Sequence, residues 1–359
     1  MWSFVPVCSG ESLSSWLVRV SLFVGCDPLA LTFTVWPGWR AWTRDVDRAL
    51  TVSQLHALAG QSGLTELAIH RMTLSAWLGG TAGQLLTPAN GAIEGVIPLG
   101  IRNRHCLSGA QFCPECLIED ARPYFRLQWR FATSIACNRH QCYLKSCCPY
   151  CGEPVQYHRL TAKDETIYRC FKCGNDLRRS RPCPVDPLAL LTQNAISLIP
   201  DDPKHITVIA PRERIDAMAL ALFYVRFMRF VIRGHQERLR DNLRRTGLVI
   251  PDGMASPTAL PIEYLTVNER ARLFSAVWPL VRGGPEQFVA LARRCHLSSN
   301  GLQDFRPPAF LKTLLADLPS NPVPHSRRHH SAHQAAYSRS VIVRRWALFL
   351  RRTAAARNG

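Results

Sequence analysis

Acidic side chains are scarce in this chain. Its 359 residues include 26 Asp and Glu against 44 Lys and Arg, for a formal charge of +18. A deficit of that size disfavours cationic ligands and favours a polyanionic partner, most simply nucleic acid. The excess is mostly arginine, whose planar fork of donors matches phosphate. A GC-rich genome would explain arginine over lysine, but not the shortage of carboxylates. Long apolar runs are also missing. No window of about 18 uninterrupted apolar residues exists, which argues against a membrane span. A basic region, apolar run and cleavage site do not follow one another at the N-terminus, so a reducing cytoplasm is the expected compartment, with association to the nucleoid. There is no Gly-rich phosphate loop of the Walker type, so nucleotide hydrolysis would belong to a partner. No His-x-Glu lies upstream of Cys113-Pro-Glu-Cys116, as the zinc-deaminase pattern needs, and no acidic cluster resembles a two-metal transposase site. These gaps point to a protein that is not an enzyme.

What the chain does have is cysteine in pairs. Cys113-Pro-Glu-Cys116, Cys137-Asn-Arg-His140, Cys148-Pro-Tyr-Cys151 and Cys170-Phe-Lys-Cys173 are four two-residue-gap pairs; twenty residues separate the first from the second, and eighteen the third from the fourth. A two-residue gap lets two side chains of a tight knuckle reach one ion, and a second knuckle across a short hairpin completes a tetrahedron. The pattern predicts two tandem zinc ribbons and two structural Zn2+ ions per chain. Cys113, Cys116, Cys137 and His140 form one ligand set; Cys148, Cys151, Cys170 and Cys173 form the other. Both sets are complete, leaving no open position for a catalytic water. Gly152 and Gly174 follow the second Cys of their knuckles, where a left-handed turn aims N–H groups at sulfur. A disulfide set is the competing reading, but Cys8, Cys26, Cys106, Cys142, Cys147, Cys183 and Cys295 show no pairing pattern. Ligand identity is open where Cys147 adjoins Cys148 and where Cys142 lies two residues past His140; only Cys148 has the two-residue spacing to Cys151.

With 47% hydrophobic residues, the chain can form two or three packed domains. The expected fold is mainly α with a small β zinc-ribbon module. A helical N-terminal domain spans 1–100, the tandem ribbons 101–182, a helical C-terminal domain 183–320 and a basic tail 321–359. Leu13, Trp16, Leu17, Val20 and Phe23 share a helical face. Two helix-turn-helix-like segments stand out, at 51–72 and 265–318. The second has a turn at His296-Leu297-Ser298 and a cap at Ser298 or Ser299 before Asn300 and Arg306. Either segment could enter a DNA groove or dock a protein. Trp36, Trp39 and Trp42 read as core or interface anchors. In Tyr124-Phe125-Arg126-Leu127-Gln128-Trp129-Arg130-Phe131, Trp129 and Phe131 read as packing residues, with a nucleic-acid surface as the other reading. Residues 211–247 predict a long helix or helix pair with an apolar stripe and a cationic flank of Arg226, Arg229, Arg233, Arg238, Arg240, Arg244 and Arg245. Arg178, Arg179, Arg181, Arg233, Arg238, Arg244, Arg245, Asn300 and Arg306 are the candidate nucleic-acid contacts. The cluster His325–His330 has no partner spacing for a metal, and Val341–Leu350 predicts a closing helix.

The segments Gly10-Glu11-Ser12-Leu13-Ser14-Ser15-Trp16-Leu17 with Arg19, then Phe112-Cys113-Pro114-Glu115-Cys116-Leu117, Tyr124–Arg130 and Cys137-x-x-His140, resemble the TniQ/TnsD family of transposition proteins. The resemblance covers roughly residues 1–180. It implies a targeting adaptor for transposition without a reaction of its own. Such a protein would link target DNA, or a target-bound nucleoprotein such as a CRISPR effector complex, to an AAA+ ATPase that recruits the transposase. Self-association into a homodimer is a further implication. A stand-alone, sequence-specific, zinc-containing DNA-binding regulator is the other reading of the same residues.

Overall fold

In the computed structural model of the chain, residues 2, 4–78, 95–99, 110–197, 212–233, 237–251, 261–320, 343 and 346 are described. The expected closing helix, apart from Val343 and Trp346, and the histidine cluster lie outside them, as does the side chain of Arg233. The chain divides into two compact units. One comprises Met1–Ile215 and Ile262–Ala271, the other Asp216–Pro261 and Arg272–Gly359. The architecture is mainly helical with two very short strands, as the composition and spacing predict.

Local rules set the first unit's helices. Ser12 caps α1 (Leu13–Phe23) by accepting from the Ser15 amide. Pro28, at the first position of α2 (Pro28–Val35), has no amide to leave unsatisfied. After the short α3 (Ala41–Arg44), Thr51 and Gln54 form a reciprocal capping box on α4 (Val52–Ser62), which ends at Gly63 with φ 77°. Thr65 then caps α5 (Glu66–Arg71). The segment 51–72 is therefore a helix-turn-helix pair. Of the expected α1 face, Leu13, Trp16, Leu17 and Val20 are buried, but Phe23 is exposed at the helix end beside Phe4. Trp36 and Trp42 are buried, and their indole N–H groups donate to Gln54 O and Pro28 O, the anchoring role expected of them.

The core does not stop at the end of these helices. Leu13, Trp16, Leu17, Leu58 and Ile69 belong to one continuous apolar cluster with Phe112, Leu117, Phe125, Trp129, Tyr157, Ile167 and Leu177. The N-terminal helices and the cysteine-rich segment thus share one interior. Trp129 and Phe131 are buried around a single 3-10 turn, Leu127–Arg130, so this stretch packs internally.

His158 lies within the same region. It stacks on Trp42, with ring centroids 5.5 Å apart, and its Nδ1 is buried with no hydrogen-bond partner. Burial, helped by the charges of Arg159 and Arg130, pushes its pKa from 6.5 down to about 4. The fold therefore excludes a proton that the unfolded chain accepts between those two values. Above pH 6.5 both states are neutral at this site and nothing is lost. As the pH falls from 6.5 towards 4, stability should decline by roughly 3 kcal/mol at most. In His158→Phe that share of the acid sensitivity should be gone. Urea midpoints of both proteins between pH 7 and 4 measure the difference.

The second unit is built around α8 (Arg212–Arg233), α9 (Glu237–Arg245) and most of α10 (Val267–Arg294). Phe223, Tyr224, Phe227 and Phe288 form an aromatic cluster with centroids 5.1–5.7 Å apart, and Phe305 lies 5.9 Å from Phe227. The two helices expected at 267–278 and 285–295 are one span broken at Gly284, where φ is 76°. Pro285 has no amide for the helical ladder, and the Gly284 carbonyl at the break accepts from the Tyr224 hydroxyl at 3.1 Å. The expected turn is present, with His296 at φ 55° and Ser298 as cap. The helix after it, α11 (Ser299–Gln303), is five residues long and is followed by α12 (Ala309–Leu315).

Candidate metal centres

Between α5 and α8 the chain carries α6 (Pro114–Glu119), the strands β1 (Ala136–Cys137) and β2 (Cys142–Tyr143), and α7 (Pro187–Ala195). The first knuckle is a helix start. Cys113 is the cap residue, Pro114 opens α6, and Cys116 sits one turn in. The second knuckle is the hairpin between β1 and β2, with Cys137 on β1 and His140 in its turn. Cys113, Cys116, Cys137 and His140 each bring one donor atom to within 4.8 Å of the other three. His140 Nδ1 lies 3.4 Å from Cys113 Sγ, 3.4 Å from Cys116 Sγ and 3.5 Å from Cys137 Sγ. The imidazole thus faces three sulfurs with one nitrogen. The other, Nε2, is 3.0 Å from Glu119 Oε2, without the alignment of a hydrogen bond. A carboxylate behind a histidine is the arrangement that fixes the tautomer and orientation of a metal-ligating imidazole. Arg139 pairs with the same Glu119 carboxylate at 2.5 Å.

The second cluster is made of two matching turns. Cys148, Cys151, Cys170 and Cys173 also converge within 4.8 Å. In each knuckle the Gly after the second Cys has φ 69°, and its amide bonds back to the carbonyl of the first Cys (Gly152 to Cys148, Gly174 to Cys170). The first Cys amide in turn bonds the carbonyl beyond the Gly, Glu153 or Asn175. The Asn175 side chain donates to Cys173 Sγ at 3.3 Å, and its backbone and side-chain N–H groups bring that exposed thiol down to about 6. Burial instead pushes Cys170 up to about 12. Cys147, the neighbouring alternative, is not among the four converging donors; its Sγ lies 3.8 Å from Ser146 Oγ.

The residues fit zinc. A tetrahedron with zinc–sulfur bonds of about 2.3 Å has sulfur–sulfur edges of about 3.8 Å. Cys116–Cys137, Cys148–Cys173 and Cys151–Cys170 are 3.6, 3.6 and 3.7 Å apart, whereas a disulfide requires about 2.0 Å. All cysteines among the described residues are free thiols. In the first cluster the neighbouring thiols hold Cys113 far below the ordinary thiol range while pushing Cys116 far above it. Donors this close compete for ionisation, and a dication relieves that competition. Four soft donors on each site leave it closed, which suits a structural role.

Around the first centre runs a buried polar network with no local sequence signal. Ser14 donates its amide and hydroxyl to the two oxygens of Asp47, both at 2.6 Å, and its hydroxyl is 2.7 Å from Tyr157 Oη. Arg130 bonds Asp47, lies 2.7 Å from Asp45 and also donates to the Ile97 carbonyl. Glu11 accepts from Ser15, Arg19 and the Cys8 amide, and the Ser15 hydroxyl accepts from the Phe125 amide. The segments Gly10–Leu17 and Tyr124–Arg130 are thus joined to each other, with Tyr157 of the second ribbon attached. Arg270, at the start of α10, is also buried, donating to Ala132 O at 2.5 Å and Gln111 Oε1 at 2.7 Å.

The candidate nucleic-acid residues are spread over both units. Arg178 is committed internally, paired with Asp176 at 2.7 Å and lying 3.9 Å above the Tyr168 ring. Arg179 and Arg181 are exposed beside it. In the second unit Arg238, Arg244 and Arg245 are exposed on α9 while Leu239 and Leu243 are buried. Asn300 and Arg306 are exposed as well, and the Arg306 backbone is left-handed with φ 53°. Arg226 and Arg240 turn inward. Arg226 donates to Phe305 O and Arg306 O, and Arg240 to Val231 O and Ile232 O.

Helices and two Cys/His tetrads together define a mainly helical fold compatible with two zinc-ribbon modules. Residues 3–144 match the family model described as TniQ. The match takes in the N-terminal helices and the first centre and ends before the second. No curated protein matches the chain. Among the described residues no single helix is long and apolar enough to cross a membrane.

Proposed function

We propose that the protein is a non-enzymatic targeting adaptor for DNA transposition. Two structural zincs, held by Cys113, Cys116, Cys137 and His140 and by Cys148, Cys151, Cys170 and Cys173, form its scaffold. The scaffold carries contacts to target DNA, or to a target-bound nucleoprotein such as a CRISPR effector complex, and to the AAA+ ATPase of the same transposition system. It works in the cytoplasm at the nucleoid. The observation that carries this reading is the pair of closed tetrads within and just beyond a TniQ match, since ligand-saturated metals stabilise a fold without supplying chemistry. The charge of +18 and the exposed Arg179, Arg181, Arg238, Arg244, Arg245, Asn300 and Arg306 support a phosphate-bearing partner; the side chain of Arg233 falls outside the described residues.

Co-purification from the native host, followed by identification of bound protein and nucleic acid, is the test. The expected result is recovery of the ATPase with DNA or a nucleoprotein. Recovery of one duplex with no ATPase would favour the stand-alone regulator instead. Nucleic-acid affinity should also fall steeply with salt, because each neutralised phosphate releases counterions and adds about −0.9 to the logarithmic slope. A flat response between 50 and 200 mM salt would mean that the positive charge is incidental.

A further inference from the structure

A fourth sulfur, and a fifth donor, stands at the first centre. Cys142 Sγ lies 3.6 Å from Cys113 Sγ, the same separation as that between the ligand-set sulfurs of Cys116 and Cys137. Its side chain is buried. On the hairpin, Cys142 is the direct antiparallel partner of Cys137. Directly opposed residues of an antiparallel pair project to the same face, with Cβ atoms about 4.5–5.5 Å apart. Cys142 therefore shares the face on which Cys137 presents its sulfur to the cluster, and its Sγ approaches one member, Cys113, from just outside the four mutually close donors. Gln141, with φ 46°, makes the tight reversal that brings the chain from His140 in the turn to Cys142 on the strand. His140 is the more solvent-accessible donor, its side chain 13% exposed, while the three cysteines of the set are buried.

We propose that Cys142 is a reserve ligand of the first metal centre, able to take the coordination position of His140. This rests on the reading that the centre holds zinc. In the exchange the Cys142 thiol gives its proton to solvent and binds as thiolate, and the imidazole leaves as a neutral group. The donor set changes from three sulfurs and one nitrogen to four sulfurs, which suits the same borderline-soft dication. The centre then stays closed when its outermost ligand is withdrawn, and the first unit keeps its metal.

Zinc content and cobalt substitution of the purified full-length protein test this. Cobalt absorption reports the number of thiolates bound, independently of any activity. The unaltered protein should hold two metal equivalents; fewer would refute the zinc reading itself, and the reserve role with it. Cys142→Ser should also hold two, with an unchanged cobalt spectrum. His140→Ala and the milder His140→Asn should hold two, with the first-centre spectrum shifted to that of four thiolates. His140→Ala combined with Cys142→Ser should hold one, the second centre serving as an internal control. The reserve role is overturned if His140→Ala keeps a single metal or fails to fold, if the double variant keeps two, or if Cys142→Ser alone loses one.

Discussion

Cys116→Ser should release one of two zinc equivalents and unfold the whole first unit, not only the ribbon that contains it. The size of the effect follows from two magnitudes. A structural zinc contributes about 10–16 kcal/mol to the folding of isolated finger peptides, while the net stability of a domain is about 5–15 kcal/mol. Loss of most of one metal's contribution is therefore comparable with everything the unit has. The reach of the effect follows from placement. Cys113 and Cys116 are buried in the same apolar cluster as Leu13, Trp16, Phe112 and Leu117, so the first metal sits inside the interior that the N-terminal helices share. Cys151→Ser should also release one equivalent, with a smaller structural consequence, because Cys151 and Cys173 are exposed at the rim of the second cluster. Hydrogen exchange separates the two cases. Cys116→Ser should lose protection in α1 and α4 as well as around the centre; Cys151→Ser should lose it mainly between residues 146 and 180. Retention of two zincs by Cys116→Ser, or equal loss of protection in both variants, would contradict this picture.

The donors of both clusters were legible in the sequence because each knuckle is local. Two residues of spacing and a following glycine encode the turn, and Gly152 and Gly174 adopt the left-handed conformation that the pattern requires. The cap at Ser298 was legible for the same reason, since it satisfies an amide three residues away, and Ser12, Thr51 and Thr65 cap their helices in the same local way. What escaped is what depends on distant partners. Asp47 has no motif around it, and its meaning appears only when Ser14, Arg130 and Tyr157 surround it. Glu119 is a helix-end carboxylate until His140 arrives from the hairpin. Arg226, read as part of a cationic flank, instead closes the carbonyls of Phe305 and Arg306. Such pairings carry no periodicity. The break at Gly284 was half visible: Pro285 announces the lost amide, but that the Gly284 carbonyl accepts from the Tyr224 hydroxyl depends on a distant helix.

The same distant partners set the second large expected effect. Arg130→Met should cost the first unit about 3–5 kcal/mol, the range for removing one partner of a buried ion pair. Arg130 is 3% exposed and Asp47 wholly buried. Burial pushes the Asp47 carboxyl up, and the Arg130 guanidinium is the chief influence pulling it back down. Without Arg130, Asp47 must either remain ionised without its counter-charge or take up a proton that its bonds from Ser14 do not accommodate well. Replacing Asp47 as well, in Arg130→Met with Asp47→Asn, should recover part of the loss, since the uncompensated charge is then gone. A urea unfolding series on the three proteins, with zinc content followed in parallel, reads the result. An Arg130→Met chain within about 1 kcal/mol of the parent, as for an exposed pair, would show the network to be dispensable. The outcome also bears on how the family signature should be understood. Gly10–Leu17 and Tyr124–Arg130 carry the resemblance, yet Glu11, Ser12, Ser14, Ser15 and Arg130 are all buried and bond chiefly to one another, to the backbone or to nearby buried groups. These residues hold the helices to the metal-bearing segment. Substitutions in them should therefore abolish any partner interaction by unfolding the scaffold, detectable as lost stability before any partner is added, whereas Arg179→Ala or Arg244→Ala should leave the unfolding midpoint unchanged.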